Sequence, residues 1–372
     1  MGTKIRKWVR QEAVLVISAV CALLSMAVVP PSASTLASID VRSLILLFCL
    51  MAVVAGLQRC GLFVTVAQRL LRGKKPMWQL GLALVMLPFF SSMLITNDVS
   101  LITFVPFTIL VLEWLDGRRY LIPVVVLQTI AANLGSMTTP VGNPQNLFLY
   151  SRYQMGAGEF FAALLPFLVV SVVGLAAACF LLRGEGVEIR FPQGNHPVQW
   201  RRVSLFAGLF LLCLLAVFRV VSIYLLLSVV VLVVALADRP VFAQVDYCLL
   251  LTFVCFFIFA GNMGEIPFVR QVLEKMVARA PMGISVGLSQ MISNVPTAVL
   301  LSGFTQDGTA LLVGTNLGGL GTPVASLASL ISLRLYGKTE RADSKAYFQW
   351  FFAANGIGLA VLLLTAWVLK QL

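Results

Sequence analysis

Residues 133–147 read NLGSMTTPVGNPQNL and residues 316–330 read NLGGLGTPVASLASL, with seven identities in fifteen ungapped positions. The matches include Asn133 with Asn316, Gly135 with Gly318, Thr139 with Thr322 and Pro140 with Pro323. Upstream of each stands a tip of the form hydroxyl, Asn, two residues, hydroxyl. It is Thr96-Asn97-Asp98-Val99-Ser100 in the first case and Ser293-Asn294-Val295-Pro296-Thr297 in the second. Further upstream, AGLQRCGLF at 55–63 lies opposite AGNMGEIPF at 260–268. Three landmarks in one order define an internal repeat, which governs how the rest of the chain is read.

The repeat sits in a chain built for lipid. Of 372 residues, 59% are apolar and 11% charged, against about 25% charged in soluble domains. The net charge of +12 does not signal nucleic acid, because the basic residues stand in short runs between apolar stretches. Apolar stretches run at 13–29, 43–58, 77–93, 99–114, 121–135, 160–182, 203–218, 222–237, 248–264 and 346–369. Four later segments, at 282–292, 295–304, 310–317 and 324–333, are too short to span alone. They read as broken helices or hairpin arms, tolerated only where protein or a wet cavity satisfies the backbone. The expected fold is an all-α polytopic membrane protein with about nine spanning helices and two re-entrant hairpins. Two inverted-topology repeats with discontinuous helices complete it.

With Lys4, Arg6, Lys7 and Arg10 in the cytoplasm, threading leaves 20 of the 27 basic residues on that side. Arg42, Arg152, Arg219, Arg270, Lys275, Arg279 and Lys370 fall outside, a positive-inside bias. The helix near Ser43 then runs inward and the one near Cys248 outward, which inverts the repeats. No small-residue cleavage site follows the first apolar run, so it reads as a transmembrane helix. The organisation is a tail and first helix (1–39), repeat 1 (40–182), a cytoplasmic linker (183–202), connecting helices (203–245) and repeat 2 (246–372). The seven cysteines form no CxxC pair and read as small core residues. His196 is the single histidine, so histidine-based metal chemistry is not expected. The sequence has no nucleotide-binding GxxxxGK[ST] motif. It also lacks a nucleophile–base pair, so an enzyme is not expected.

Each tip closes one apolar arm and opens another. Ser, Thr, Asn and Asp cap helix N-termini, and Pro296 suits a first turn. Tips at mid-membrane are expected to aim free N–H groups and a positive dipole end at an anion. The expected substrate set is Thr96, Asn97, Ser100, Ser293, Asn294 and Thr297, with Thr139, Pro140, Thr322 and Pro323 from the breaks. Gly and Pro at those breaks are expected to free carbonyls for a small cation such as Na+. The cation set is Asn133, Gly135, Thr138, Gly142 and Asn143 in one half and Asn316, Gly318, Gly321 and Ser326 in the other. The same glycines also permit close helix packing. Asp98 is the one acid of fifteen placed at membrane depth, where a charge costs about 3 kcal/mol. It is expected to carry a proton or help bind a cation, while its repeat partner Val295 is apolar.

At these residues the chain resembles the ion transporter superfamily, which includes divalent-anion:sodium symporters, citrate transporters and arsenite or Na+–H+ antiporter-like permeases. The carriers are ITND at 95–98, AANLGSMTTPVGNPQNL at 131–147, SQMISNVPT at 289–297 and the NLGG segment with its Thr-Pro. The resemblance implies a secondary transporter moving a small anion, a di- or tricarboxylate such as citrate, across the bacterial inner membrane. Coupling would be to Na+ or H+. An arsenite/antimonite permease and a Na+/H+ antiporter-like carrier are the alternatives, and an intramembrane enzyme is a remote one. In the dicarboxylate branch paired Ser-Asn-Thr tips hold substrate carboxylates and adjacent breaks hold sodium. By position Thr96 and Asn97 match the first tip, Ser293 and Asn294 the second. Asp98 and Val295 depart from the pattern, and an acid beside a dianion repels it unless protonated or neutralised by sodium. The resemblance also implies a homodimer with a static scaffold and a moving transport unit. No cofactor beyond a coupling Na+ is implied, and a separate ATPase partner only for the arsenite type.

Overall fold

The computed structural model describes residues 12–115, 117–182, 184, 187–189, 198–340 and 342–369. Lys4, Arg6, Lys7, Arg10, Arg183, Arg190, His196, Arg341 and Lys370 lie outside the described residues, as does most of the linker. A first helix, α1 (Ala13–Val28), and a short turn, α2 (Ala33–Ala37), precede the first repeat. That repeat runs α3 (Val41–Arg59), α4 (Leu62–Leu71), a strand β1 (Gly73–Lys75), α5 (Met77–Ile95) and α6 (Asn97–Trp114). It continues through α7 (Arg118–Ser136), α8 (Pro144–Arg152) and α9 (Ala157–Phe180). Strand β2 (Val187–Ile189), from the linker region, pairs antiparallel with β1. Helices α10 (Trp200–Val217) and α11 (Ile223–Ala237) and a 3-10 turn (Arg239–Gln244) connect the halves.

The second repeat reproduces the first helix by helix, without a described counterpart of β1. It comprises α12 (Tyr247–Glu265), α13 (Pro267–Arg279), α14 (Pro281–Ile292) and α15 (Asn294–Leu301). Then come α16 (Gly308–Leu317), α17 (Leu327–Tyr336) and α18 (Ser344–Val368). Even the starting caps agree: Asp40 accepts from Ser43 N at 3.1 Å and Asp246 from Leu249 N at 2.8 Å. The fold is all-α and polytopic. Among the described residues seven helices have the length and apolar composition to cross a bilayer, and α1 and α11, at 16 and 15 residues, are shorter apolar helices. Three elements escape the apolar-run reading: α4, α8 and α13, each interrupted by polar or charged side chains.

Helix breaks inside the bundle are repaired by side chains. Pro88 has no N–H, which leaves the carbonyl of Leu84 one turn back without its helical donor. Gln128 of α7 supplies the donor, with Nε2 to Leu84 O at 2.8 Å. The first hairpin is closed by Ser91 and Ser100, whose hydroxyls meet at 2.6 Å across its two arms. Helices α10 and α11 pack on α3, where Gly56 lets the ring of Phe206 lie on the backbone. There Asp238 takes Arg59 at 3.0 Å and Arg202 at 3.3 Å. Apolar side chains such as Phe90, Val173, Leu232 and Ile357 point outward, and Trp114, Trp200 and Trp367 stand exposed at helix ends. That is the surface expected of a protein solvated by lipid with an aromatic belt.

Candidate functional site

Both tips adopt the same uncommon backbone. Thr96 has φ 65° and ψ 153°, and Ser293 has φ 75° and ψ 155°. Non-glycine residues there cost on the order of 1–3 kcal/mol and persist only where surroundings over-determine them. The over-determination is visible. Asn97 N donates to Gly142 O at 3.2 Å, and Asn294 N donates to Ala325 O at 3.0 Å. Thr139 Oγ1 donates to Met93 O at 2.6 Å, and Thr322 Oγ1 to Gln290 O at 2.9 Å. Each break thus grips the tip and the first arm of its own hairpin.

This geometry narrows the expectation of free N–H groups at the tips to those other than the Asn97, Asp98 and Asn294 amides. The Asn97 and Asn294 amides are used internally, and Asp98 N donates to Asn97 Oδ1 at 3.0 Å. Ser100 donates to Pro88 O at 3.2 Å, and Thr297 to Ser293 O at 2.8 Å, so neither hydroxyl proton is available. Gly135 and Gly318 serve close approach. A Cβ at Gly135 would collide with the Phe89 carbonyl and meet Ser92 Oγ at 2.6 Å, and one at Gly318 would lie 2.8 Å from Ser289. Gly142 lies against Ser136 O, and Gly321, at φ 114°, against Gln290. Pro140 is buried and Pro323 half-buried beside them.

Where the two breaks cross, the halves join through polar side chains. Asn143 Nδ2 donates to Asn316 Oδ1 at 3.1 Å, and Ser326 Oγ donates to Asn133 Oδ1 at 3.0 Å. These two contacts are exchanged by the repeat symmetry, which pairs Asn143 with Ser326 and Asn133 with Asn316. Asn97 Nδ2 joins at Asn133 Oδ1, 3.1 Å away. Asn294 Nδ2 lies 3.1 Å from where a Cβ on Gly319 would stand. Asn97 and Asn294 are therefore both buried in the same polar centre.

The carbonyls of the breaks are not bare. Asn146 Nδ2 donates to Met137 O at 2.9 Å and Thr139 O at 3.1 Å, while Thr138 Oγ1 donates to Gly135 O at 2.7 Å. In the second half Gln290 Nε2 donates to Gly318 O at 2.9 Å and Leu320 O at 3.0 Å, and its Oε1 accepts from Thr322 N at 2.9 Å. Side-chain amides thus occupy positions the sequence suggests for a cation. Asn146 and Gln290 hold the two breaks in this way, and sequence reading misses both. For Gln290 the only signal is an amide in a largely apolar arm, and Asn146 is one amide among several in residues 143–146.

Two cavities open at opposite ends. One, of about 720 Å³, is lined by Thr96, Asp98, Asn143, Gln58, Arg59, Gln244, Glu12 and Asp246. Thr96 makes no capping bond with its side chain, and Asp98 Oδ1 is buried without a hydrogen-bond partner. The other cavity, of about 620 Å³, is lined by Asp40, Arg42, Arg152, Gly264, Arg270 and Val299, and no predicted site residue reaches it. Repeat symmetry relates the two. Asp40 corresponds to Asp246 and Val299 to Ile102, each lining its own cavity. Among the described residues no group of three His, Cys, Asp or Glu side chains is arranged to hold a metal.

Residues 5–307 match the family model described as citrate transporter. The chain is 31% identical over 299 residues to an uncharacterized transporter of Methanocaldococcus jannaschii, covering 80% of this chain and 81% of that one. It is also 31% identical over 310 residues to the inner membrane protein YbiR of Escherichia coli, with 80% and 81% covered. A 46 kDa membrane protein of Mycobacterium leprae is 23% identical over 366 residues, with 87% and 84% covered.

Proposed function

This chain belongs to the citrate transporter family and is a multi-pass membrane transporter, and we propose that it carries a small polycarboxylate such as citrate together with a proton held at Asp98. The observation that carries this reading is the buried, unpartnered Oδ1 of Asp98 at the inner end of an open cavity. A carboxylate buried without a donor demands a proton or a cation. The Asn146 and Gln290 amides already satisfy the neighbouring carbonyls, which favours the proton over sodium.

Coupling then follows from charge. A deprotonated Asp98 repels an anion at the adjacent Thr96–Asn97 tip, so anion and proton bind together or not at all. The tip hydroxyl of Thr96 lines the same cavity and can contact the anion, while the Asn143 amide beside it is engaged by Ser136 and Asn316. Threading by the positive-inside bias puts this cavity on the cytoplasmic side. Gradient-driven transport by the inverted repeats would then expose the polar centre to each face in turn.

The acidic lining by Glu12, Asp98 and Asp246 favours a second reading, exchange of a cation for protons. One experiment separates the two. Purified protein in sodium-free liposomes should accumulate citrate when a proton gradient is imposed, and Asp98→Asn should lose accumulation while keeping citrate counterflow. Cation efflux without citrate uptake would favour the second reading. Strict sodium dependence with a wild-type-like Asp98→Asn would remove the proton from the mechanism.

A further inference from the structure

We propose that the cavity lined by Arg42, Arg152 and Arg270 is an anion-collecting vestibule, and that its charge, opposite to that of its symmetry mate, sets the side from which a polycarboxylate enters. The inference rests on the anion reading above and adds to it a site and a direction. The starting observation is divergence between equivalent places. Among the described residues the Asp98 cavity is lined by three carboxylates, Glu12, Asp98 and Asp246, and one arginine, Arg59, which is already engaged by Asp238. Its counterpart has three arginines and one carboxylate, Asp40.

Of the three arginines in the basic cavity, Arg270 is ion-paired, and Arg42 and Arg152 make no ion pair among the described residues. Both oxygens of Asp40 are turned to its own helix start, accepting from Ser43 N at 3.1 Å and Ser43 Oγ at 2.6 Å. Arg42 spends one N–H on a neutral carbonyl, Ala216 O, at 3.0 Å, and so keeps its charge. Arg270 offers Nε to the exposed Glu274 at 2.8 Å, which leaves the far edge of its guanidinium for the cavity. Such a fork suits a carboxylate. Arg219 adds a fourth charge nearby, donating to Tyr150 O and Gln154 O at the end of α8, next to Arg152.

Topology supplies an independent argument. Basic residues outside the cytoplasmic face run against the positive-inside bias. Threading leaves seven there; three of them line this one cavity, and Arg219 stands beside it. Their concentration at one mouth is what an anion funnel requires, since a cleft lined by one sign of charge raises the local concentration of the opposite ion. On the other face the acidic cavity disfavours the same anion and promotes its release.

The test does not depend on transport. A cysteine is placed in the vestibule by Ser151→Cys, and its labelling rate is measured with a sulfonate-bearing and an ammonium-bearing thiosulfonate, the native protein serving as blank. The sulfonate reagent should react faster, and Arg152→Gln with Arg270→Gln should shrink that preference by about fivefold or more. Added citrate should slow labelling. In uptake assays the same pair should raise KM for citrate by roughly tenfold at low salt with kcat kept, and 1 M salt should erase the difference. Equal rates for the two reagents, or an unchanged KM in the arginine variants, would overturn the vestibule. A sulfonate preference in a protein that moves no citrate would retire the citrate reading and leave the vestibule's anion selectivity standing.

Discussion

The two hairpin tips agree in backbone and disagree in chemistry. Thr96 and Ser293 share their unusual dihedral angles, and the next amide of each is stitched to the break of its own repeat. Two residues on, one tip has a half-buried carboxylate whose Oδ1 is buried, and the other has Val295. The breaks differ in the same way. Asn146 fills the first from just downstream, whereas Gln290 fills the second from the hairpin arm, where the first repeat has Met93. The comparison teaches that the duplicated scaffold and the transport chemistry are separable. Shared positions such as Thr139 and Thr322 hold the backbone alike in both halves, whereas the charge of Asp98 stands in one half only.

The largest expected effect comes from making the tips alike. Asp98→Val should abolish proton-driven accumulation. It should also stabilise the purified protein by about 1–3 kcal/mol, because it removes a buried polar atom with no partner. Thermal unfolding in detergent and uptake in liposomes read the two halves of that claim. A loss of stability would mean that the carboxylate has a partner in the native protein.

Next in size is the plug of the second break. Gln290→Met imitates Met93 and strips donors from Gly318 O and Leu320 O, at a cost of about 1–3 kcal/mol for each carbonyl left buried and unpaired. If the amide stands in for a cation, added Na+ should restore part of the lost thermal stability in this variant and leave the native protein unmoved. Equal sodium responses in both would refute the substitution.

The glycines offer a graded contrast. Gly135→Ala drives a methyl into the Phe89 carbonyl, which the α5 backbone holds in place, whereas Gly318→Ala meets the Ser289 side chain. Overpacking of this kind costs about 1–3 kcal/mol. The first substitution should lie at the upper end or beyond, and the second lower, as measured by melting temperature. The smallest effect should come from Thr139→Val and Thr322→Val. Each removes one hydroxyl-to-carbonyl bond worth about 1 kcal/mol, and the two losses should be equal if the repeats do the same mechanical job.

The duplication was legible because it is written in identities. Asn133 and Asn316, and Thr139 and Thr322, keep the same residue, and Pro296 marks its hairpin openly. The spanning helices were legible from their apolar runs. Helices α4, α8 and α13 were not, because Gln68, Asn146 or Arg270 and their neighbours interrupt the runs that hydropathy detects. The engagement of the Asn97 and Asn294 amides was hidden for a different reason. Their acceptors, Gly142 O and Ala325 O, lie 45 and 31 residues downstream, and local capping rules say nothing about contacts at that range. Gln290 was invisible on the same grounds: its role exists only once α14 and the second break are side by side. Asp98 stood out because a lone acid in an apolar segment needs no partner to be conspicuous.

One consequence follows from the matched stitches at Thr96–Gly142 and Ser293–Ala325. If the halves trade roles when the molecule opens to its other face, every device present in both copies is relinquished on one side and regained on the other. Such an exchange is close to isoenergetic. The resting preference between the two openings is then decided by the few places where the copies have drifted apart, and those are the places where a proton or an anion can tip it.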